Sequence, residues 1–252
     1  MNAVYSLFFH NYYGNHDYWL NFFSKNSAGP FHLYYNIVED SIYNNEFVDS
    51  ESYRTYQAPL KESSNLKTII YRKSSNKGKD IGGKMVLLDA YLKLNKPTEF
   101  GLFVHDKKSF YKTNNAHWAE NLLKIADHNF SKKAINKFIS SPETGIITAV
   151  GNLKNEYNID AQTFISNNKN LLPKLQEEFD IYPTSFNYIA GTMFWFRMKP
   201  VVDFFSKNEP LMIREMLEKG NVTDEFEATN THCWERLLSW IITAEGYKIN
   251  SI

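Results

Sequence analysis

Apolar and polar positions alternate along this chain with two periods. Short apolar runs bounded by turn residues predict buried strands at Val4–Phe9, Phe31–Val38, Lys67–Tyr71 and Phe100–Val104. Between the first two, Asn15-His-Asp17 is positioned to cap a helix over Tyr18–Phe23, which Ala28-Gly29-Pro30 would end. Met85, Leu88 and Leu92 recur at helical spacing inside Ile81–Leu94, whereas residues 39–66 carry no clear period. Further on, the pattern predicts helices over Ala116–Ala126, Asn168–Phe179 and Thr231–Glu245, and strands over Gly145–Val150 and Ile189–Arg197. Strands alternating with helices predict an α/β fold with a mixed, mostly parallel sheet flanked by helices. No repeat, low-complexity segment or linker divides the chain, so a single domain is expected.

Composition narrows the partners. Hydrophobic residues make up 43% and charged residues 22%, enough to bury a core. The formal net charge is zero, so nothing global recruits nucleic acid or an anionic membrane. The single cysteine, Cys233, excludes an internal disulfide framework and a cysteine-based zinc site, and suits a reducing compartment, a bacterial or host cytoplasm. No apolar run approaches the ~18–20 residues that span a bilayer, and the opening residues lack the basic region and cleavage site of a signal peptide.

Four segments concentrate candidate chemistry. Asn76-Lys-Gly-Lys-Asp80, with Gly82 and Gly83 following, lies between a predicted strand and helix. Gly78 to Lys84 has the spacing of a phosphate-binding loop, but Met85 stands where a hydroxyl should meet magnesium, and Asp80 would point a carboxylate into an anion cradle. His105-Asp106-Lys107-Lys108 ends the strand from Phe100. Asp80 and Asp106 are 26 residues apart (106 − 80), about one helix plus one strand, so both are expected on the same edge of a parallel sheet, where α/β proteins bind ligands. In Ile189–Arg197, Gly191 permits close approach to a ligand, Trp195 is a candidate sugar platform and Arg197 a candidate diphosphate contact. Asp224-Glu225-Phe226-Glu227 and Glu235 offer a carboxylate base for a hydroxyl nucleophile, and His232 a metal ligand. Each segment has a bland counterpart: a glycine turn, a solvated turn, packed core, a helix-terminal charge bias.

In this order, Asn76-Lys-Gly-Lys-Asp-Ile-Gly82, His105-Asp-Lys-Lys-Ser109, Ala190-Gly-Thr-Met-Phe-Trp-Phe-Arg197 and His232 with Glu235-Arg236-Leu237 resemble the rhamnan synthesis F family of polysaccharide glycosyltransferases. The opening Phe8-Phe-His-Asn-Tyr-Tyr13 is also similar. The resemblance implies a GT-A-type, Rossmann-like fold and transfer of a sugar, often L-rhamnose, from a nucleotide diphosphate donor to a glycan or lipid-linked saccharide acceptor. It implies a donor-binding half, 1–110, and an acceptor-binding half, 111–252. On it, Asn76, Gly78, Lys79, Asp80, His105, Asp106, Lys107 and Lys108 would bind donor. Gly191, Thr192, Trp195 and Arg197 would line the sugar and acceptor site. Asp106 and His232 would hold Mg²⁺ or Mn²⁺, and Asp224, Glu225, Glu227 or Glu235 would act as base. The family's Asp-x-Asp element reads His105-Asp106-Lys107 here, so its second Asp is absent. A non-catalytic glycan-binding protein and a sugar-phosphate transferase or nucleotidyltransferase are the alternative readings.

Overall fold

Phe31–Val38 forms strand β2 with the bounds its apolar run predicts, and Leu33 to Val38 have no solvent exposure. The computed structural model describes residues 4–44, 65–94, 96–106 and 122–252. Within them β1 (Tyr5–Asn11), β2, β3 (Leu66–Ser74) and β4 (Phe100–His105) lie parallel in the order β3-β2-β1-β4. The sheet continues through β10 (Phe194–Arg197), β5 (Thr144–Thr148) and β11 (Lys248–Ser251) to seven strands, and β10 alone runs against the rest. This is an α/β fold with a mixed, mostly parallel sheet in a single domain; strands from both halves of the chain share it. β6 (Leu153–Asn155) pairs with β9 (Asn187–Ile189), and β7 (Tyr157–Asn158) with β8 (Thr163–Phe164), as two small antiparallel ribbons.

Helices cover both faces, which is why the central strands read as unbroken apolar runs. On one face α1 (His16–Asn26) and α3 (His128–Ser140) pack on Tyr5, Leu7, Phe9, Leu102 and Trp195. On the other, α2 (Lys79–Leu94) and α7 (Asn230–Ala244) cover Phe8, Tyr34, Phe103, Phe194 and Phe196. The short helices α4 (Leu172–Phe179), α5 (Met198–Phe205) and α6 (Pro210–Met216) complete that second layer. No helix among the described residues is long and apolar enough to cross a membrane.

Several expectations change. Asn15 precedes α1 in a left-handed conformation and makes no side-chain cap bond. β3 runs three residues past Tyr71, to Ser74. The strand expected at Gly145–Val150 covers Thr144–Thr148, and the helix expected from Asn168 begins at Leu172 after a 3₁₀ turn. The helix expected over Ala116–Ala126 falls mostly outside the described residues. The run Ile189–Arg197 is not one strand: it breaks between β9 and β10, where Gly191 has φ +81° and Thr192 φ +51°.

The start of α7 gives the first stability test. Thr229 caps it by accepting the His232 N–H, and Glu218 adds a second cap, taking the amides of Asn230 and Thr231 and the Thr231 hydroxyl. Glu218→Ala should therefore cost about 1–2 kcal/mol, in the range of a lost helix cap. A chemical-denaturation midpoint equal to wild type would contradict this. Burial pushes the Glu218 carboxyl up, but these hydrogen bonds outweigh it and hold the group below its ordinary value.

Candidate functional site at the C-terminal edge of the sheet

The chain reverses its direction of travel along the sheet at β1: β2 lies on one side of it and β4 on the other. Crevices at such switch points, outside the carboxyl ends of the strands, are where open α/β sheets bind ligands. His10 and His105 face each other in register across this point. The β1–β4 seam is closed by Asp106, whose Oδ1 accepts the Tyr12 N–H at 2.7 Å and whose Oδ2 accepts the Tyr13 N–H at 2.6 Å.

Asp80 lies at the same edge, in the first turn of α2, and anchors a knot of three segments. Its Oδ2 accepts from the Lys84 ammonium at 2.6 Å and the Thr192 hydroxyl at 2.5 Å, and lies 3.4 Å from His105 Nδ1. Lys84 also donates to Thr192 Oγ1 at 2.8 Å and sits 3.5 Å from His105 Nδ1. The Lys84 side chain is fully buried and that of Asp80 is 21% exposed, so the acid is the partner that keeps contact with solvent. Lys84 stands at the lysine position of a phosphate loop, yet its ammonium is spent on Asp80; the rejection of that motif on Met85 has a structural counterpart here. Asp80 and Asp106 share one edge and are joined through adjacent residues, as the 26-residue spacing predicted.

Two left-handed pairs frame the knot. Gly78 (φ +74°) and Lys79 (φ +53°) open α2, and Gly191 and Thr192 form the second pair. A β-branched threonine at positive φ is a steric outlier that costs on the order of 1–3 kcal/mol. The bond from its hydroxyl to Asp80 is what holds it there. The turn before α2 is clamped from behind by residues 214–222: Gly78 N–H donates to Glu218 O, Asn76 bonds Asn221, Lys77 pairs with Glu215, and Lys79 Nζ donates to Val222 O. The polar groups of Asn76 and Lys79 are thus engaged in shaping the turn.

A second charged cluster adjoins the first through Gly191, whose N–H donates to Glu235 Oε1 at 2.7 Å. The buried guanidinium of Arg236 bonds Glu235 and Glu156, lies 3.7 Å from Asp224, and covers the Tyr188 ring at 4.6 Å. Asp224 also accepts from Asn168. Three carboxylates around one arginine leave an acidic wall beside the Gly191 turn. Of the four carboxylates expected as base, Glu235 and Asp224 belong to this wall, and Glu225 and Glu227 are exposed on the loop before α7.

The structure separates other residues from the group expected in the sequence. Trp195 has no exposure, and its Nε1 donates to Ile125 O, so it is core and not a sugar platform. Arg197 pairs in register with Phe100, at the start of β4, because β10 is antiparallel. It donates to the carbonyls of Thr144, Phe138 and Ser141 at the edge opposite Asp106. A cleft of about 400 Å³ opens at that far edge, lined by Tyr91, Thr98, Glu99, Arg197, Val202 and Tyr247. There Lys199 pairs with Asp203 and Arg197 bonds backbone, whereas the left-handed turns and the buried Lys84–Asp80 pair lie at the edge of Asp80. The edge of Asp80 is therefore the candidate site. Lys107 and Lys108 lie outside the described residues.

The two ligands expected for a divalent cation, Asp106 and His232, are both engaged within the fold. Both oxygens of Asp106 accept backbone amides, His232 Nδ1 bonds the Thr229 hydroxyl, and Asp80 holds an ammonium. No group of three His, Cys, Asp or Glu residues among those described can hold a metal ion. Asp106→Ala would free two amides at the β1–β4 seam, so a loss of stability of about 1.5–3 kcal/mol is expected with any loss of activity. An unchanged melting temperature would contradict that structural role.

Sequence reasoning missed His10, Glu156 and Glu218, and met Lys84 only as the lysine of a rejected phosphate loop. His10 is buried under α2, 3.0 Å from Asn36 Nδ2. Burial holds its pKa down to about 4; Asp80 opposes the shift, and Lys84 and Arg214 add to it. Burial lowers His16, to about 4, and also His32 and His232. These groups stay neutral in the fold while the unfolded chain takes up protons below pH 6.5. Stability is therefore full above that pH and falls as the pH drops toward 4. Melting temperatures should decline across this window; a flat profile would contradict the buried neutral state. Burial also pushes the Cys233 thiol up to about 12, so it is no nucleophile.

No protein-family profile matches the chain, and no curated protein matches it.

Proposed function

We propose that this protein is a GT-A-type glycosyltransferase, transferring a sugar such as L-rhamnose from a nucleotide diphosphate donor to a glycan or lipid-linked acceptor. One observation carries the reading. Asp80, His105 and Thr192, from three separate strings of the family resemblance, meet in one hydrogen-bonded knot at the switch point of the sheet. Asp80 would accept donor sugar or ribose hydroxyls at this crevice. The acceptor oxygen attacks the anomeric carbon as the bond to the diphosphate breaks, and its proton passes to a carboxylate of the Gly191 wall, Asp224 or Glu235. The lone buried thiol fits work in a reducing cytoplasm.

The test is a thermal-shift panel of uridine, guanosine and thymidine nucleotide sugars, followed by assay of nucleoside diphosphate release. At least one should raise the melting temperature by mass action and be slowly hydrolysed. If none stabilises the protein, the reading fails. A glycan-binding protein without chemistry draws support from the engagement of Glu235 and Asp224 with Arg236, Gly191 and Asn168. It would bind without releasing diphosphate. A sugar-phosphate transferase would leave a phosphodiester in its product.

A further inference from the structure

The Lys84 ammonium is built into the site as a cation would be. Among the described residues it donates to Asp80 Oδ2 at 2.6 Å and Thr192 Oγ1 at 2.8 Å, and His105 Nδ1 lies 3.5 Å away. These groups come from α2, the Gly191-Thr192 turn and β4, so one charge ties three segments together at this edge of the sheet. A carboxylate oxygen, a hydroxyl and an imidazole nitrogen converging on one point are also donors a divalent metal accepts. The side chain is fully buried and packs over Phe103, its ammonium 5.8 Å from the ring centre, so it does not swing away as a surface lysine does. The other acid at this edge, Asp106, is committed to two backbone amides.

We propose that Lys84 occupies the cation seat of this site and that donor binding needs no divalent metal. This rests on the glycosyltransferase reading. In metal-dependent transfer the ion lends positive charge to the leaving diphosphate. Here Lys84 is a positioning residue: its ammonium fixes Asp80 and Thr192 at the point where a metal ion would otherwise tie them together.

The experiment compares binding of UDP, GDP and dTDP to the full chain by calorimetry, once in EDTA and once in excess Mn²⁺. The expected result is a nucleoside diphosphate that binds equally in both. Binding tighter by about tenfold or more with Mn²⁺ overturns the inference and leaves the glycosyltransferase reading standing. No binding in either condition overturns both. A second arm uses Lys84→Ala, which vacates the seat while leaving Asp80, Thr192 and His105. Mn²⁺ should raise the melting temperature of this variant and leave wild type unmoved. Stabilisation of wild type by Mn²⁺ would contradict the assignment, as would a folded variant indifferent to the metal.

Discussion

Lys84→Met should lower stability by about 3 kcal/mol, the low end of what is lost when one partner of a buried ion pair is removed. The low end applies because Asp80 keeps one-fifth of its side chain in solvent. For a chain of this length the loss is a drop in melting temperature of roughly 6–12 °C. Methionine fills most of the lysine's volume, so the cost is electrostatic: a carboxylate remains beside a buried histidine with no cation. Asp80→Asn in the Lys84→Met background removes that uncompensated charge and should recover part of the loss. Lys93 offers the contrast. It pairs with Asp89 at the same i,i+4 spacing, but its side chain is 66% exposed. Lys93→Ala should cost less than about 0.5 kcal/mol, as exposed pairs do. Equal effects at Lys84 and Lys93 would mean that the buried pair is not formed.

Gly83→Ala is expected to destabilise by about 2 kcal/mol, although alanine is the better helix former by about 1 kcal/mol. Two adjacent glycines four and five residues into a 16-residue helix are a local cost that propensity alone would remove. The reason they stand there is the strand beneath. A methyl group on Gly83 would lie 1.8 Å from His10 Nδ1 and within 2.7 Å of two further ring atoms. The ring has no room to retreat: it is buried, and Asn36, itself bonded to Ser74, holds it. The substitution would lift α2 from the C-terminal end of β1 and move Asp80 with it. Because the clash is with one side chain, a double-mutant cycle isolates it. Gly83→Ala should cost much less in a His10→Ala background, with a coupling of about 1 kcal/mol or more. Additive effects would contradict the close approach.

Much of this architecture was legible because parallel strands covered on both faces write themselves as apolar runs. β2, β4 and α2 lie where the pattern placed them, and the spacing of Asp80 from Asp106 told that both would leave the same edge. What failed did so for physical reasons. Ala190–Phe196 is apolar almost throughout, and nothing local marks Gly191 and Thr192 as a left-handed turn; the tertiary bond from Thr192 to Asp80 overrides the preference of a β-branched residue. The sense of β10 was equally hidden. An antiparallel strand carries Arg197 to the wrong end for a donor contact, and burial on both faces leaves Trp195 no polar side from which to read its direction. Helix α3 went unrecognised: its Lys132, Lys133 and Lys137 obscure the stripe of Ala134 and Phe138 that packs on the sheet. Asp80 and Lys84, at helical spacing, look like a solvated pair such as Asp89 and Lys93; only the packed fold shows that one of the two lysines has lost all contact with water.

The central claim is that ligand binds at the edge of Asp80 and not in the cleft beside Arg197. Hydrogen–deuterium exchange of the full chain with saturating UDP, GDP or dTDP tests it most directly. The account predicts slowed exchange at residues 78–84, 105–106 and 190–193, with no change at 96–99 and 198–203. Protection confined to the latter pair of segments would contradict it.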